Sequence, residues 1–291
     1  MRELGRRLAV AGVGIPFTVL ILWLGGWYLT VVIGICALLA TRELYALAAA
    51  QGVRPFLWIG VPGSLGMVLL AGWARSYQVA APWELGLVFG ALLLCSALSI
   101  GRRWPEGRPV AAVSVTILGI LLGGGTLSFA VFLRHLSDFP GPGGSAVALP
   151  GAFLVAFPLA VAWLGDTGAY FVGSLYGKRK MIPSVSPGKT VEGGLAGLAC
   201  AVLVGGVMGW FFLEFHSQNG LSALLGAGLG LILGVGAQLG DLAESVMKRE
   251  AGVKDSGDFF PGHGGILDRF DALIFTVPMA FFLINLLWLR P

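Results

Sequence analysis

"LSALLGAGLGLILGVGAQLGDLAESVMKRE", Leu221 to Glu250, opens with twenty residues that carry no charge, Leu221 to Gly240. At 1.5 Å per residue they make about 30 Å of helix, the thickness of a bilayer's hydrocarbon core. Asp241 therefore arrives at the membrane edge. At about 100° per residue, Asp241, Glu244, Ser245 and Lys248 fall at about 0°, 300°, 40° and 340°, a single polar stripe. The segment reads as a spanning helix that delivers acids and a lysine to the lipid–water boundary. Gly226, Gly230 and Gly234, spaced by four, read as a face for close packing against another helix.

The rest of the chain follows that lead. Hydrophobic residues make up 56% and charged residues 12% of its 291 residues, with a mean hydropathy of +0.85. A soluble domain carries roughly 25% charged residues. Apolar runs recur throughout, and the 46 glycines suit helices that approach closely in lipid. The expected fold is all-α, a polytopic integral membrane protein with about nine spans. They lie at roughly 8–24, 27–41, 57–74, 83–100, 111–133, 151–173, 192–213, 221–244 and 270–289. The second is short, with room to continue past Thr41 at an angle, carrying Arg42 and Glu43 at the interface. No small-residue cleavage pattern follows the first span, so it reads as a retained anchor. Residues 1–150 hold about five spans and end in the Pro/Gly-rich external loop 137–150. Residues 151–291 hold about four, with loops at 174–191 and 248–267, and carry the candidate chemistry.

Placing the N-terminus in the cytoplasm puts sixteen of nineteen basic residues inside; only Arg75, Arg134 and Arg290 fall outside. That is the positive-inside asymmetry. The surplus of positive charge thus reflects orientation, and no aromatic-basic surface points to nucleic acid. Cys36, Cys95 and Cys200 lie in apolar spans, too scattered for a disulfide framework or a zinc site, and read as small apolar residues.

Of the fifteen acids, seven crowd into the 31 residues from Asp241 to Asp271: Asp241, Glu244, Glu250, Asp255, Asp258, Asp268 and Asp271. Four bases accompany them: Lys248, Arg249, Lys254 and Arg269. Counting the last span back from its apolar end brings Asp268 and Asp271 to nearly the depth of Asp241. A bland reading pairs Asp268 with Lys248 and Asp271 with Arg249. The excess of carboxylates instead indicates a hard cation, Mg²⁺ or a relative, which keeps positions open for water and phosphate. The bases beside it, with Lys189, fit a polyphosphate that shares its charge between metal and protein. In "PGHGG", Gly264 and Gly265 bring the backbone close enough to offer N–H groups to anionic oxygens. "SVSPGKTVEGG", Ser184 to Gly194, resembles the tail of a Walker A loop but lacks the first glycine of GxxxxGK and a preceding strand. It leaves Ser186, Lys189 and Thr190 as phosphate or nucleotide contacts. His263 stays open between an acid–base group and a loop anchor. Asp166, some fourteen residues into its span, needs a partner from another helix or a wet cavity.

The run Ser245-x-Met247-Lys248-Arg249-x4-Lys254-Asp255-x-Gly257-x2-Phe260-Pro261-x-His263-Gly264-Gly265-Ile266-x-Asp268-Arg269-Phe270-Asp271 resembles the hallmark motif of phosphatidate cytidylyltransferases, or CDP-diacylglycerol synthases. "GDTGAYFVG" and "SPGKTVEGG" are similar to that family's segments too. The resemblance covers about Trp163 to Pro278; the first half is similar only in being a set of spans. It implies an inner-membrane enzyme, usually dimeric, with its site facing the cytoplasm, that converts CTP and phosphatidic acid to CDP-diacylglycerol and pyrophosphate. It also implies metal ligands at Asp241, Asp268 and Asp271 for two cations, Mg²⁺ and a monovalent second one, for which K⁺ is the candidate. Lys248 and Arg249 join these three as expected catalytic residues. Asp166, Ser186, Lys189, Thr190, Ser245, Lys254, Asp255, His263, Gly264, Gly265 and Arg269 are the expected substrate contacts. Two rivals stand beside this reading. One is another CTP-dependent lipid enzyme, a polyprenol kinase or a CDP-archaeol-type synthase. The other is an ion-coupled transporter, which leaves the basic loop and "PGHGG" unexplained.

Overall fold

The structure, a computed structural model, describes residues 2–102, 107–138, 151–210, 223–257, 259 and 264–288. Eight helical stretches among them are long and apolar enough to cross a membrane: 26–50, 57–74, 77–101, 109–135, 151–176, 191–208, 223–250 and 267–287. The chain is thus an integral membrane protein of the polytopic, helical kind. At the expected first span lies α1 (Arg2–Leu24), in which the apolar stretch Gly12–Leu24 is shorter than the other eight. Helix α2 (Gly26–Ala50) does not stop near Thr41. It continues, and Arg42 and Glu43 lie on it.

Two compact units are present: residues 1–132 with 247–270, and residues 133–246 with 271–291.

In the first unit α2 packs beside α3 (Leu57–Ala74), followed by α4 (Tyr77–Arg102) and α5 (Pro109–Gly119). Six residues, Ile120–Gly125, then take a wider π-helical turn that leads into α6 (Thr126–His135). Tyr45 is buried at the centre and donates its hydroxyl to the Thr116 carbonyl at 2.7 Å. Gly60 and Gly119 make room for it: a Cβ at either position would stand 1.8 or 2.3 Å from the ring atoms or hydroxyl of Tyr45. Gly124 is equally constrained, since a Cβ there would lie 2.1 Å from the Ser64 carbonyl. Small residues here let polar groups find partners inside a helix bundle, as lipid-embedded packing requires.

In the second unit α7 (Gly151–Tyr176), α8 (Val191–Met208) and α9 (Ala223–Glu250) pack through glycines. A Cβ on Gly226 would meet the Gly205 carbonyl at 2.4 Å, one on Gly230 the Ala201 carbonyl at 2.2 Å, and one on Gly234 the Ala201 Cβ at 2.7 Å. The glycine stripe is the helix-packing face that its spacing indicates. Helix α10 (Leu267–Trp288) reaches α9 in the same way, with Gly240 against the Asp271 carbonyl.

Both segments expected as loops contain more order than that. Within 174–191, α7 runs to Tyr176 and a hairpin follows, β1 (Lys180–Ile182) antiparallel to β2 (Ser186–Thr190). Pro183 sits second in the turn Ile182–Val185, which is closed by Val185 N–H to the Ile182 carbonyl at 3.1 Å. Within 248–267, α9 holds on to Glu250 because its polar stripe continues the helical period. It then stops at Gly252, whose φ of +71° completes a Schellman cap with Gly252 N–H to Arg249 and Val253 N–H to Lys248.

Candidate active site

Within the second unit, α7, the hairpin, α8 and α9 enclose a cavity of about 430 Å³. Asp166 comes from α7, Lys189 and Thr190 from β2, Gly193 and Gly194 from the start of α8, and Gln238 and Asp241 from α9. Each wall is pinned locally. Thr190 caps α8 by accepting the Gly193 N–H at 3.2 Å. Glu192, two residues further, accepts Lys178 N–H at 3.1 Å and Arg179 N–H at 3.2 Å, which fixes the entry to the hairpin. Gln238 donates to the Gly194 carbonyl at 2.8 Å and ties α9 to α8. Gly168 lets α7 and α8 close up, since a Cβ there would lie 2.3 Å from the Cys200 sulfur.

Lys189 Nζ and the Asp241 carboxylate form an ion pair in this cavity, each side chain about three-quarters buried, at 27% and 28% exposure. Asp166 lines the same space, so two carboxylates face one ammonium. The remaining polar groups are the hydroxyls of Ser174, Thr190 and Tyr170 and the Gln238 amide, with no His or Cys in the lining. An all-oxygen donor set with surplus negative charge fits a hard divalent cation, and the lysine fits a phosphate. The volume is in the range of pockets that hold drug-sized ligands.

The first unit holds the other half of the motif. Lys248 donates to Asp268 Oδ1 at 2.6 Å, with the two side chains 12% and 7% exposed. Asp268 Oδ2 accepts from Ser256 N–H at 2.9 Å, from the Ser256 hydroxyl at 2.9 Å and from Gly265 N–H at 2.8 Å. Gly264 has a φ of +77°, and a Cβ on it would meet Asp268 Oδ2 at 2.5 Å, so only glycine fits there. Glu43, from α2, accepts Ile266 N–H at 2.9 Å and Leu267 N–H at 2.8 Å. The backbone N–H groups of this glycine turn do meet anionic oxygens, and those oxygens belong to Asp268 and Glu43.

The other expected residues are dispersed. Ser186 pairs with Ile182 at the far end of β2, outside the cavity lining. Ser245 is buried and its hydroxyl stands 3.5 Å from Asp241 Oδ1. Asp271 Oδ1 accepts the Ala272 N–H at 2.6 Å. Arg249 is exposed and donates to the Val253 carbonyl at 3.1 Å. Lys254, Asp255 and Arg269 are exposed. His263 lies outside the described residues, as do Asp258, Phe260 and Pro261. Among the described residues no three His, Cys, Asp or Glu side chains form a group that could hold an ion. Sequence reasoning did not single out Glu43, Glu192 or Gln238. For Glu43 the available signal was a rare acid on an apolar helix.

A sequence model of the cytidylyltransferase family matches residues 5–287. The phosphatidate cytidylyltransferase of Synechocystis sp. is 36% identical over 294 aligned residues, which cover 96% of this chain and 95% of that protein. The chain belongs to the phosphatidate cytidylyltransferase family. Its namesake in Staphylococcus haemolyticus is 35% identical over 89% of this chain and 90% of that protein. In Staphylococcus saprophyticus a 129-residue stretch of the corresponding phosphatidate cytidylyltransferase is 48% identical, covering 44% of this chain and 48% of that protein. The family match starts at residue 5, so the N-terminal spans of this cytidylyltransferase share more with the family than a set of apolar helices. That corrects the expectation confined to Trp163–Pro278.

Proposed function

We propose that the cavity bounded by Asp166, Lys189 and Asp241 is the nucleotide site at which this chain, a CTP:phosphatidate cytidylyltransferase by family, makes CDP-diacylglycerol and pyrophosphate. One observation carries the reading. "SPGKT" and "GDLAES", some fifty residues apart in sequence, meet as the Lys189–Asp241 pair inside one cavity.

In the proposed reaction a phosphatidate oxygen attacks the α-phosphorus of CTP. A P–O bond forms there, the bond to the bridging oxygen breaks, and pyrophosphate leaves with the electron pair. A phosphate monoester with a second pKa near 6 is already largely ionised at neutral pH, so no strong general base is needed. Lys189 is poised to exchange Asp241 for a phosphate oxygen. Lys248 and Arg249 are the further cations proposed for the triphosphate or the lipid phosphate, with Ser186, Thr190, Ser245, Lys254, Asp255, His263, Gly264, Gly265 and Arg269 as substrate contacts from the motif. The resemblance gives the ligand role for Mg²⁺ to Asp241, Asp268 and Asp271, with K⁺ as a second ion; of these, Asp241 lines the cavity. When bound, Mg²⁺ offsets negative charge on the triphosphate and the departing pyrophosphate. The catalytic region is residues 151–291, the site faces the cytoplasm and the enzyme works as a homodimer in the inner membrane. The distribution of basic residues supports that orientation. CTP comes from water while the acyl chains stay in lipid, so a membrane-edge site serves both.

Position-labelled CTP tests the reading. With purified protein, phosphatidic acid and Mg²⁺, α-labelled phosphate should move into the lipid and γ-labelled phosphate into pyrophosphate. Label from the γ position in the lipid would indicate a kinase, and no lipid label from either would reject the assignment.

A further inference from the structure

The acids and bases of the motif lie between Ser245 and Asp271, yet one of the groups that organises it comes from the second helix. Glu43 Oε1 accepts Ile266 N–H at 2.9 Å; Oε2 accepts Leu267 N–H at 2.8 Å and lies 2.9 Å from the Ser256 hydroxyl. These donors stand 223, 224 and 213 positions away in sequence, so no local rule accounts for them. Ile266 and Leu267 are buried, and their N–H groups are among the first of α10, which no carbonyl within the helix can reach. A carboxylate there satisfies two of them and complements the positive end of the helix.

The fit is tight on the other side as well. A Cβ on Gly265 would lie 2.3 Å from Glu43 Oε2, and one on Gly257 would lie 2.8 Å from Oε1. Two glycines of the motif are therefore explained by the space Glu43 takes. The Ser256 hydroxyl stands 2.9 Å from both Glu43 Oε2 and Asp268 Oδ2, so a single side chain links the two carboxylates. Neither Glu43 nor Ser256 lines the cavity described above.

We propose that Glu43 is a positioning residue for nucleotidyl transfer: its carboxylate holds the turn Gly264–Leu267 and, through Ser256, fixes where the Asp268 carboxylate stands. This rests on the reading of Asp268 as part of the catalytic machinery. It also gives the N-terminal spans a task in the reaction. Glu43→Gln keeps the shape but turns an amide N–H₂ towards groups that are themselves donors, so at least one hydrogen bond to the turn must fail.

The test compares wild type, Glu43→Gln and Ser256→Ala as full-length protein in detergent–phosphatidate micelles. In the Glu43→Gln protein without nucleotide, hydrogen exchange in a peptide covering 264–270 should quicken. Its kcat for CMP transfer should fall roughly 10–100-fold, the loss typical when a group that orients a catalytic ligand is removed, while the KM for CTP moves little. Ser256→Ala, which keeps both carboxylates, should lower kcat in the same direction. A simple loss of folded protein would quicken exchange in all peptides equally or leave exchange in the surviving molecules unchanged. Wild-type exchange and kcat in Glu43→Gln would overturn the proposal. If that variant does not fold, wild-type kcat in Ser256→Ala overturns it on its own. Absence of CMP transfer in the wild type would instead reject the assigned reaction, which keeps the two failures distinct.

Discussion

Replacing Lys248 by Met removes a charge while keeping most of the aliphatic stem, and the structure sets the expected loss. The ammonium stands 2.6 Å from Asp268 Oδ1, with the side chains 12% and 7% exposed, so water screens the pair poorly. Removing one partner of a buried pair costs about 3–5 kcal/mol. Asp268 keeps two backbone donors on Oδ2, Ser256 N–H and Gly265 N–H, and shares the single proton of the Ser256 hydroxyl with Glu43, so its charge is not stranded. The expectation is therefore the lower end, about 3 kcal/mol. At roughly 2–4 °C per kcal/mol for chains of this order of size, the melting temperature should drop by about 6–12 °C. Tryptophan fluorescence during thermal scans in detergent, at one fixed scan rate, measures it. Adding Asp268→Asn to the Met variant should recover part of the loss, because the unpaired charge goes with it. Two results would refute the reasoning: a single variant that melts within about 1 °C of wild type, the range of an inconsequential surface change, or losses that simply add in the double variant.

Asp241→Asn should abolish CMP transfer at saturating Mg²⁺ while the protein still inserts and purifies; wild-type turnover in a labelled-CTP assay counts against the site. Gly230→Leu should prevent α8 and α9 from closing, because its Cβ would meet the Ala201 carbonyl at 2.2 Å, whereas Gly228→Ala meets nothing within 4 Å and should be accepted. Yield of monodisperse protein by size-exclusion chromatography separates the two. Thr190→Ala removes the cap of α8 and should cost about 1 kcal/mol, read as a lowered melting temperature. Chelation by EDTA should stop transfer, and Mg²⁺ should restore it; full activity in EDTA would remove the metal from the mechanism.

Much of this was legible because membrane helices carry their signal locally. The uncharged run to Gly240, the polar stripe from Asp241 and the spacing of Gly226, Gly230 and Gly234 are all periodic features. The structure places α9 and its packing face where that period puts them. The Asp268–Lys248 pair was also within reach, as a bland alternative to a metal site. Three things were not. The β1–β2 hairpin is too short to have a period, and its turn rests on Pro183. Glu192 and Gln238 act through backbone groups, which look alike in every sequence. Glu43 acts on partners more than two hundred positions away, and it looked like an ordinary charge at a helix end because nothing near it in the chain marks what it holds.

The contact between α8 and α9 has a mechanical consequence. Where Gly205, Gly226 and Gly230 bring backbone against backbone, there are no side chains to compress and no slack for sliding. Helix α8 has 18 residues, roughly 27 Å, and α9 has 28, roughly 42 Å. A thicker or thinner bilayer must then be met by tilting the pair together instead of shearing one past the other. Lys189, just ahead of α8, and Asp241, on α9, keep their mutual register through that tilt. Geometry at the Lys189–Asp241 pair is thereby insulated from changes in acyl-chain length around it.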